Sequence, residues 1–226
     1  MFSDDDWSAI RLSLLVASIA ALCVMPFAVA AAALLARRRF PGKGLFDALV
    51  HLPLVLPPVV TGWLLLILLG RNGAFGRPLA RCCGIVFAFH WTGAALAAAV
   101  MAFPLAVRAV RLSLEAVDPR LEAAARSLGA PPLWAFATVT LPLAASGLLA
   151  GLVIAFAKAI GEFGATITFV ANIPGRTRTI ASAIYTHTQA PGGDAAAWRL
   201  TWVSVAIAVA ALAGSEALAR RVGRRG

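Results

Sequence analysis

From Leu12 to Ala36 the chain carries no charged side chain. About 20 apolar residues in an α-helix cover the ~30 Å of hydrocarbon in a bilayer, so a run of this length is read as a span. Lipid offers no partner to a free N–H or C=O, and a helix satisfies both within one segment. Predominantly apolar stretches recur at 45–70, 85–107, 142–165 and 198–218. The constraint therefore gives an all-α, polytopic integral membrane protein with five transmembrane helices, in a single domain over residues 1–226. Composition agrees: 61% of residues are hydrophobic and 13% charged, with a mean hydropathy of +0.85.

A net charge of +10 would suggest nucleic acid in a soluble protein. Here the cations border the spans, and the lipid bilayer rather than nucleic acid is the expected partner. Arg37, Arg38, Arg39 and Lys43 follow the first run, and Arg108, Arg111, Arg120 and Arg126 follow the third. Arg220, Arg221, Arg224 and Arg225 close the chain. The positive-inside rule puts these on the cytoplasmic side, with the N-terminus out and the C-terminus in. Asp4, Asp5 and Asp6 precede the first run. A secretory signal has a basic start and a shorter apolar core, so this segment is expected to be a transmembrane helix.

Residues for catalysis are missing from the pattern. The lysine that follows a glycine, Lys43, is itself followed by Gly44, which excludes a phosphate-binding P-loop there. His51, His90 and His187 stand apart in sequence and read as packing or interfacial residues. Cys23, Cys82 and Cys83 have no metal-ligand spacing, so no metal site is expected. The chain is expected to be non-catalytic and to bind no cofactor.

The longest polar interruption runs from Asp118 to Pro142. Asp118 before Pro119 predicts a helix start, with the aspartate as N-cap and proline at the first position. Leu121, Ala125 and Leu128 recur at helical spacing, and Glu122 and Arg126 stand at i,i+4 as a favourable pair. Gly129 can end that helix in a left-handed conformation, and Pro131-Pro132 prevents continuation. Trp134 to Thr140 predicts a second short helical piece, and Pro142 is expected to open the next span. The product is a helix–turn–helix outside the bilayer.

That loop, Glu122-Ala123-Ala124, Gly129, Val139 and Leu141-Pro142, resembles the EAA loop of membrane subunits of ABC importers, with valine where the family usually has isoleucine. The resemblance implies that the cytoplasmic segment 109–141 is a coupling element seated in a cleft of a separate ATPase subunit. It implies a core like that of type I ABC importer permeases, and ATP with magnesium used by the partner alone.

Two intramembrane features remain. Pro53, Pro57 and Pro58 interrupt the second run, giving either a kinked helix or a broken element that lines a cavity, with Thr61 and Gly62 just beyond. In the fourth run Lys158 and Glu162 stand at i,i+4, ~24 and ~30 Å from Pro142 along a regular helix. They form either a structural pair or part of a substrate path. Thr166 and Thr168 can donate to an oxyanion or bond back to their own helix. The blocks HLPLVLPPVVTGWLLL, GEFGATITFVANIPGRTRTIASAIY and QAPGGD resemble molybdate permease subunits across nearly the full chain, with sulfate and thiosulfate permeases in the same superfamily. The resemblance implies a bacterial inner-membrane homodimer with two P-loop ATPase subunits and a periplasmic molybdate-binding protein, importing molybdate or tungstate by alternating access. A sulfate permease, or a secondary anion carrier needing no ATPase, are the alternatives.

Overall fold

The computed structural model describes residues 2–223, with side chains through residue 214. The basic tail residues Arg220, Arg221, Arg224 and Arg225 lie outside the described side chains. The regular structure of the described residues is helical.

α1 (Asp4–Arg37) runs unbroken for 34 residues through Pro26. Ser3 caps it: the Ser3 hydroxyl accepts from the Asp6 N–H at 3.1 Å, and the Asp6 carboxylate accepts from the Ser3 N–H at 3.0 Å. This reciprocal box satisfies two N–H groups that a helix start leaves open. α2 (Lys43–Val55) and α3 (Pro58–Leu69) follow, separated at Leu56-Pro57 and bent by 110°. The run is broken rather than kinked, but of the residues of α2 and α3 only Val50, Thr61 and Gly62 are buried, so of a broken element that lines a cavity the break alone is observed. Proline at 57 and 58 removes two helical donors, and Leu56 takes the extended conformation expected before proline.

α4 (Gly76–Cys83) is a short helix in the loop that leads to α5 (Trp91–Ala116). α6 (Pro119–Ser127) and α7 (Pro132–Ala135) form the helix–turn–helix. A π-helical turn, Phe136–Thr140, continues α7 into α8 (Leu141–Leu143). Pro142 does not open the next span as expected. It belongs to the helical stretch before a 74° bend, and α9 (Ala145–Ile160) starts beyond Ala144, whose ψ of 7° breaks the helical path.

The fourth run does not continue as one helix to residue 165. It stops at Gly161 and resumes as α10 (Gly164–Val170). The stretch 171–197 contains α11 (Ile180–Thr188), capped by a box between Thr179 and Ser182. α12 (Asp194–Gly223) completes the chain. Three helices, α1, α5 and α12, are long and apolar enough to cross a membrane, and up to five spans result if each bent pair counts as one.

α1, α5 and α9 pack together along a seam of small residues. Ala21, Ala28, Ala31 and Ala32 of α1 meet Ala102 and Ala106 of α5 and Ala155 of α9, with Val24, Leu35, Val107, Val110 and Leu114 filling between them. Lipid is as apolar as leucine, so contact between membrane helices depends on close backbone approach, which alanine permits. α10 lies against α3 and the start of α5, while α12 covers α9 and α11.

The acidic start of α1 is tied to the segment around α11. Ser13 Oγ accepts from the Ile180 N–H at 2.7 Å, His187 Nε2 stands 3.1 Å from Asp6, and an Arg178 guanidinium nitrogen lies 3.6 Å from Asp5. Arg178 also donates to Asn172 at 3.1 Å.

Candidate functional site

The helix–turn–helix is built largely from local chemistry. The Asp118 carboxylate accepts from the Arg120 N–H at 2.9 Å, and Pro119 occupies the first helical position. At the other end Gly129 sits at φ +96°, the left-handed region that glycine enters without strain. There its N–H bonds to the Arg126 carbonyl at 3.0 Å, and the Ala130 N–H reaches the Ala125 carbonyl at 3.1 Å. Pro131 and Pro132 turn the chain into α7.

Glu122 departs from expectation. Among the described residues it forms no ion pair with Arg126; its Oε2 accepts from the Thr140 hydroxyl at 2.9 Å. Thr140 is fully buried at the end of the π turn. The extra residue in a π turn is a local distortion that often marks functional positions. Here it ends on the hydroxyl that ties α6 to the segment leading into the bend. Ala123 and Ala124 are exposed, Leu141 is half-buried and Pro142 is exposed. No α6 residue is buried, and Leu121, Leu128, Leu133 and Trp134 present apolar side chains to the outside, Leu128 with 90% exposure. A cleft of about 320 Å³ runs between this loop and the end of α1, lined by Arg37, Arg38, Glu122 and Arg126 among others. An apolar knuckle rimmed by charge has the character of a protein-docking surface.

Thr140→Val tests the internal tie. The substitution keeps the shape and removes the donor to a charged acceptor, at a cost of about 1.5 kcal/mol, the low end for a bond to an ionised group that is half exposed. Proteolysis at the exposed turn 128–131 should accelerate several-fold at unchanged membrane insertion. Unchanged proteolysis would show that Glu122 does not hold the loop.

The second candidate region lies at the break between α9 and α10. Lys158 is in the last turn of α9, and its ammonium contacts Glu162 Oε2 at 2.6 Å. Glu162 sits within the break, so the distance expected from a regular helix does not apply to it. Its side chain is 1% exposed against 28% for Lys158. The other carboxylate oxygen accepts from the Ala165 N–H at 3.0 Å, which caps the first turn of α10. Thr166 donates to the Phe163 carbonyl at 2.8 Å and Thr168 to the Gly164 carbonyl at 2.8 Å. Both hydroxyls take the back-bonding alternative and leave no donor free in this conformation.

Thr61 behaves differently. It is buried, and its hydroxyl has no hydrogen-bond partner. The residue after it, Gly62, lets α3 lie directly on α10. A Cβ at Gly62 would stand 2.5 Å from the Ala165 carbonyl oxygen and 2.9 Å from Thr168 Cβ. Thr61, Glu162, Thr166 and Thr168 thus belong to one junction where two broken helices meet, with Lys158 at its edge. Sequence reasoning missed Thr140, and no local signal marks it, because its partner lies 18 positions earlier.

Comparison with known proteins identifies the lineage of this arrangement. Residues 25–224 match the family described as "Binding-protein-dependent transport system inner membrane component". The chain belongs to that family. This inner membrane component is 57% identical over 220 residues to the molybdenum transport system permease protein ModB of Escherichia coli (strain K12), covering 97% of this chain and 96% of the relative. It is 36% identical to the sulfate transport system permease protein CysT of Salmonella typhimurium, covering 96% of this chain and 78% of the relative. In fold it resembles a bacterial ABC transporter that imports the acidic polysaccharide alginate, with a TM-score of 0.71 at 17% identity over 97% of this chain and 80% of the other. The helical architecture expected of an ABC importer membrane subunit is therefore found.

Proposed function

We propose that this chain is the permease subunit of an ATP-driven importer that carries molybdate, with tungstate as a chemically similar cargo, from periplasm to cytoplasm. The observation that carries this reading is the 57% identity with a molybdenum permease over 97% of the chain. The more distant similarity to a sulfate permease, at 36%, makes sulfate the second reading.

In this reading α2 with α3 forms one span and α9 another, with α7 outside the bilayer, which makes five with α1, α5 and α12, the N-terminus outside and the C-terminus inside. That orientation places Arg37–Arg39 and the helix–turn–helix on the same cytoplasmic side, in accord with the charge bias. The chain is a single transmembrane domain that works as a homodimer and catalyses nothing itself. Two P-loop ATPase subunits, using ATP and magnesium, receive the knuckle formed by Leu128, Leu133 and Trp134 and positioned by Glu122, Gly129 and Pro142. Closure of that ATPase pair pushes α6 and α7, and the bend at Ala144 transmits the movement to α9. A molybdate-binding protein docks on the outer side and supplies the anion. Thr61, Lys158, Glu162, Thr166 and Thr168 form part of the anion path, Lys158 by charge and Thr61 by its unsatisfied hydroxyl. An ATPase-independent carrier would have no use for an exposed knuckle.

Purification of the tagged chain from its membrane should recover a P-loop ATPase, and vesicles containing the complex should accumulate molybdate in an ATP-dependent manner. Uptake of sulfate in preference to molybdate would move the assignment to the second reading. Molybdate uptake without ATP would overturn the importer.

A further inference from the structure

The Lys158–Glu162 pair has an uneven construction. Glu162 is held on two sides, by the Lys158 ammonium at 2.6 Å and by the Ala165 N–H at 3.0 Å, and is almost wholly withdrawn from solvent. Lys158 keeps 28% of its side chain exposed, and Glu162 is its one polar partner among the described residues. A carboxylate with a second anchor stays in place when the lysine turns away, whereas the flexible lysine can exchange partners.

The geometry points to Glu162 as an internal stand-in for the transported oxyanion: its carboxylate occupies the Lys158 ammonium when the path is empty and competes with the arriving anion for it. This inference rests on the reading of Lys158 as part of the anion path and assigns Glu162 the role of a positioning residue. Competition of this kind lowers affinity by the fraction of time the ammonium is free. It also favours release, because a displaced Glu162 is a buried carboxylate without its counter-charge and draws Lys158 back. The anchor matters mechanically. Through the Ala165 N–H, Glu162 holds the first turn of α10, and Ala165 is the residue on which Gly62 of α3 rests. Exchange of partners at Lys158 is therefore felt at the contact between the two broken helices.

Glu162→Gln separates the stand-in from a merely structural pair. The amide oxygen can still accept from the Ala165 N–H, while the charge that occupies Lys158 is gone. Equilibrium binding of radiolabelled molybdate is measured on the complete permease–ATPase complex in lipid nanodiscs, without the binding protein. E162Q should bind molybdate roughly tenfold more tightly, the low end of what a close charge pair contributes. Its maximal uptake rate should fall, because release is slowed. A structural pair predicts no gain in affinity.

Intact E162Q complex with unchanged or weaker binding would overturn the inference. Should E162Q fail to assemble, Glu162→Asp keeps the charge and shortens its reach, and a smaller gain in affinity is expected; no gain there also overturns it. Lys158→Met combined with Glu162→Gln should bind no molybdate. Wild-type binding and uptake by that double variant would remove Lys158 from the anion path, and the stand-in with it. Failure of the wild-type complex to take up molybdate would instead overturn the importer reading itself.

Discussion

Lys158→Met should destabilise the protein by about 3 kcal/mol, the lower part of the range for breaking a buried pair from one side. The methionine fills much of the lysine's volume, so the loss is electrostatic. Glu162, with a side chain 1% exposed, would keep the Ala165 N–H as its sole donor among the bonds described. The purified variant should melt well below the wild type in detergent and yield little complex. Adding Glu162→Gln removes the uncompensated charge and should restore melting and assembly. Restored stability without restored uptake is the expected result for a lysine that meets the anion. A single variant that melts like the wild type would show that Glu162 finds another partner, and the junction would need a different account.

Gly129→Val should abolish coupling between the binding protein and ATP hydrolysis while leaving the membrane helices in place. Gly129 adopts φ +96°, and a Cβ there would meet no atom within 4 Å. Steric clash with neighbours is thus absent, and the cost is backbone strain of about 1–3 kcal/mol. That strain falls on the turn that sets α6 against α7, and relaxing it displaces Leu128, Leu133 and Trp134 relative to one another. Gly129→Asn is the control, since asparagine tolerates the left-handed region and should retain most coupling. The measurement is ATP hydrolysis by the reconstituted complex with and without binding protein, alongside recovery of the ATPase on purification. Normal stimulation in the valine variant would mean that this loop is not the transmission.

The parts of the molecule legible in sequence are those decided within a few residues. Asp118, Pro119, Gly129 and Pro131 each act on backbone groups close to them, and the helix–turn–helix follows their local preferences. Glu122 differs from its local pattern for the opposite reason. Its i,i+4 neighbour Arg126 is near in sequence, yet α6 is exposed on that side, where an ion pair gains little over hydration. Thr140 competes successfully because the turn folds it back onto α6. The break before α3 was legible as proline chemistry, but the 110° between the two helices is set by what α3 packs against, and that partner is α10. Glycines on both sides of Glu162 make a local break at Gly161 readable in sequence, whereas the capping of α10 by the Glu162 carboxylate is seen only in the structure. Arg178 shows both ranges at once: Asn172 is six positions away, while Asp5 comes from the start of the chain.

The alanine seam between α1, α5 and α9 has a mechanical consequence. An interdigitated seam of leucine and isoleucine must reset side-chain torsions each time one helix moves past another. Alanine has no such torsions to reset and loses no side-chain freedom when it is packed. Here both kinds occur: Ala21, Ala28, Ala31 and Ala32 bring α1 close to Ala102 and Ala106, while Val24, Leu35, Val107, Val110 and Leu114 interlock between the helices. Dispersion holds the helices close, and sliding one past another would require the branched side chains in the seam to repack. Bending at Leu56-Pro57, Ala144 or Gly161, where the helices are already interrupted, would leave those side chains in place.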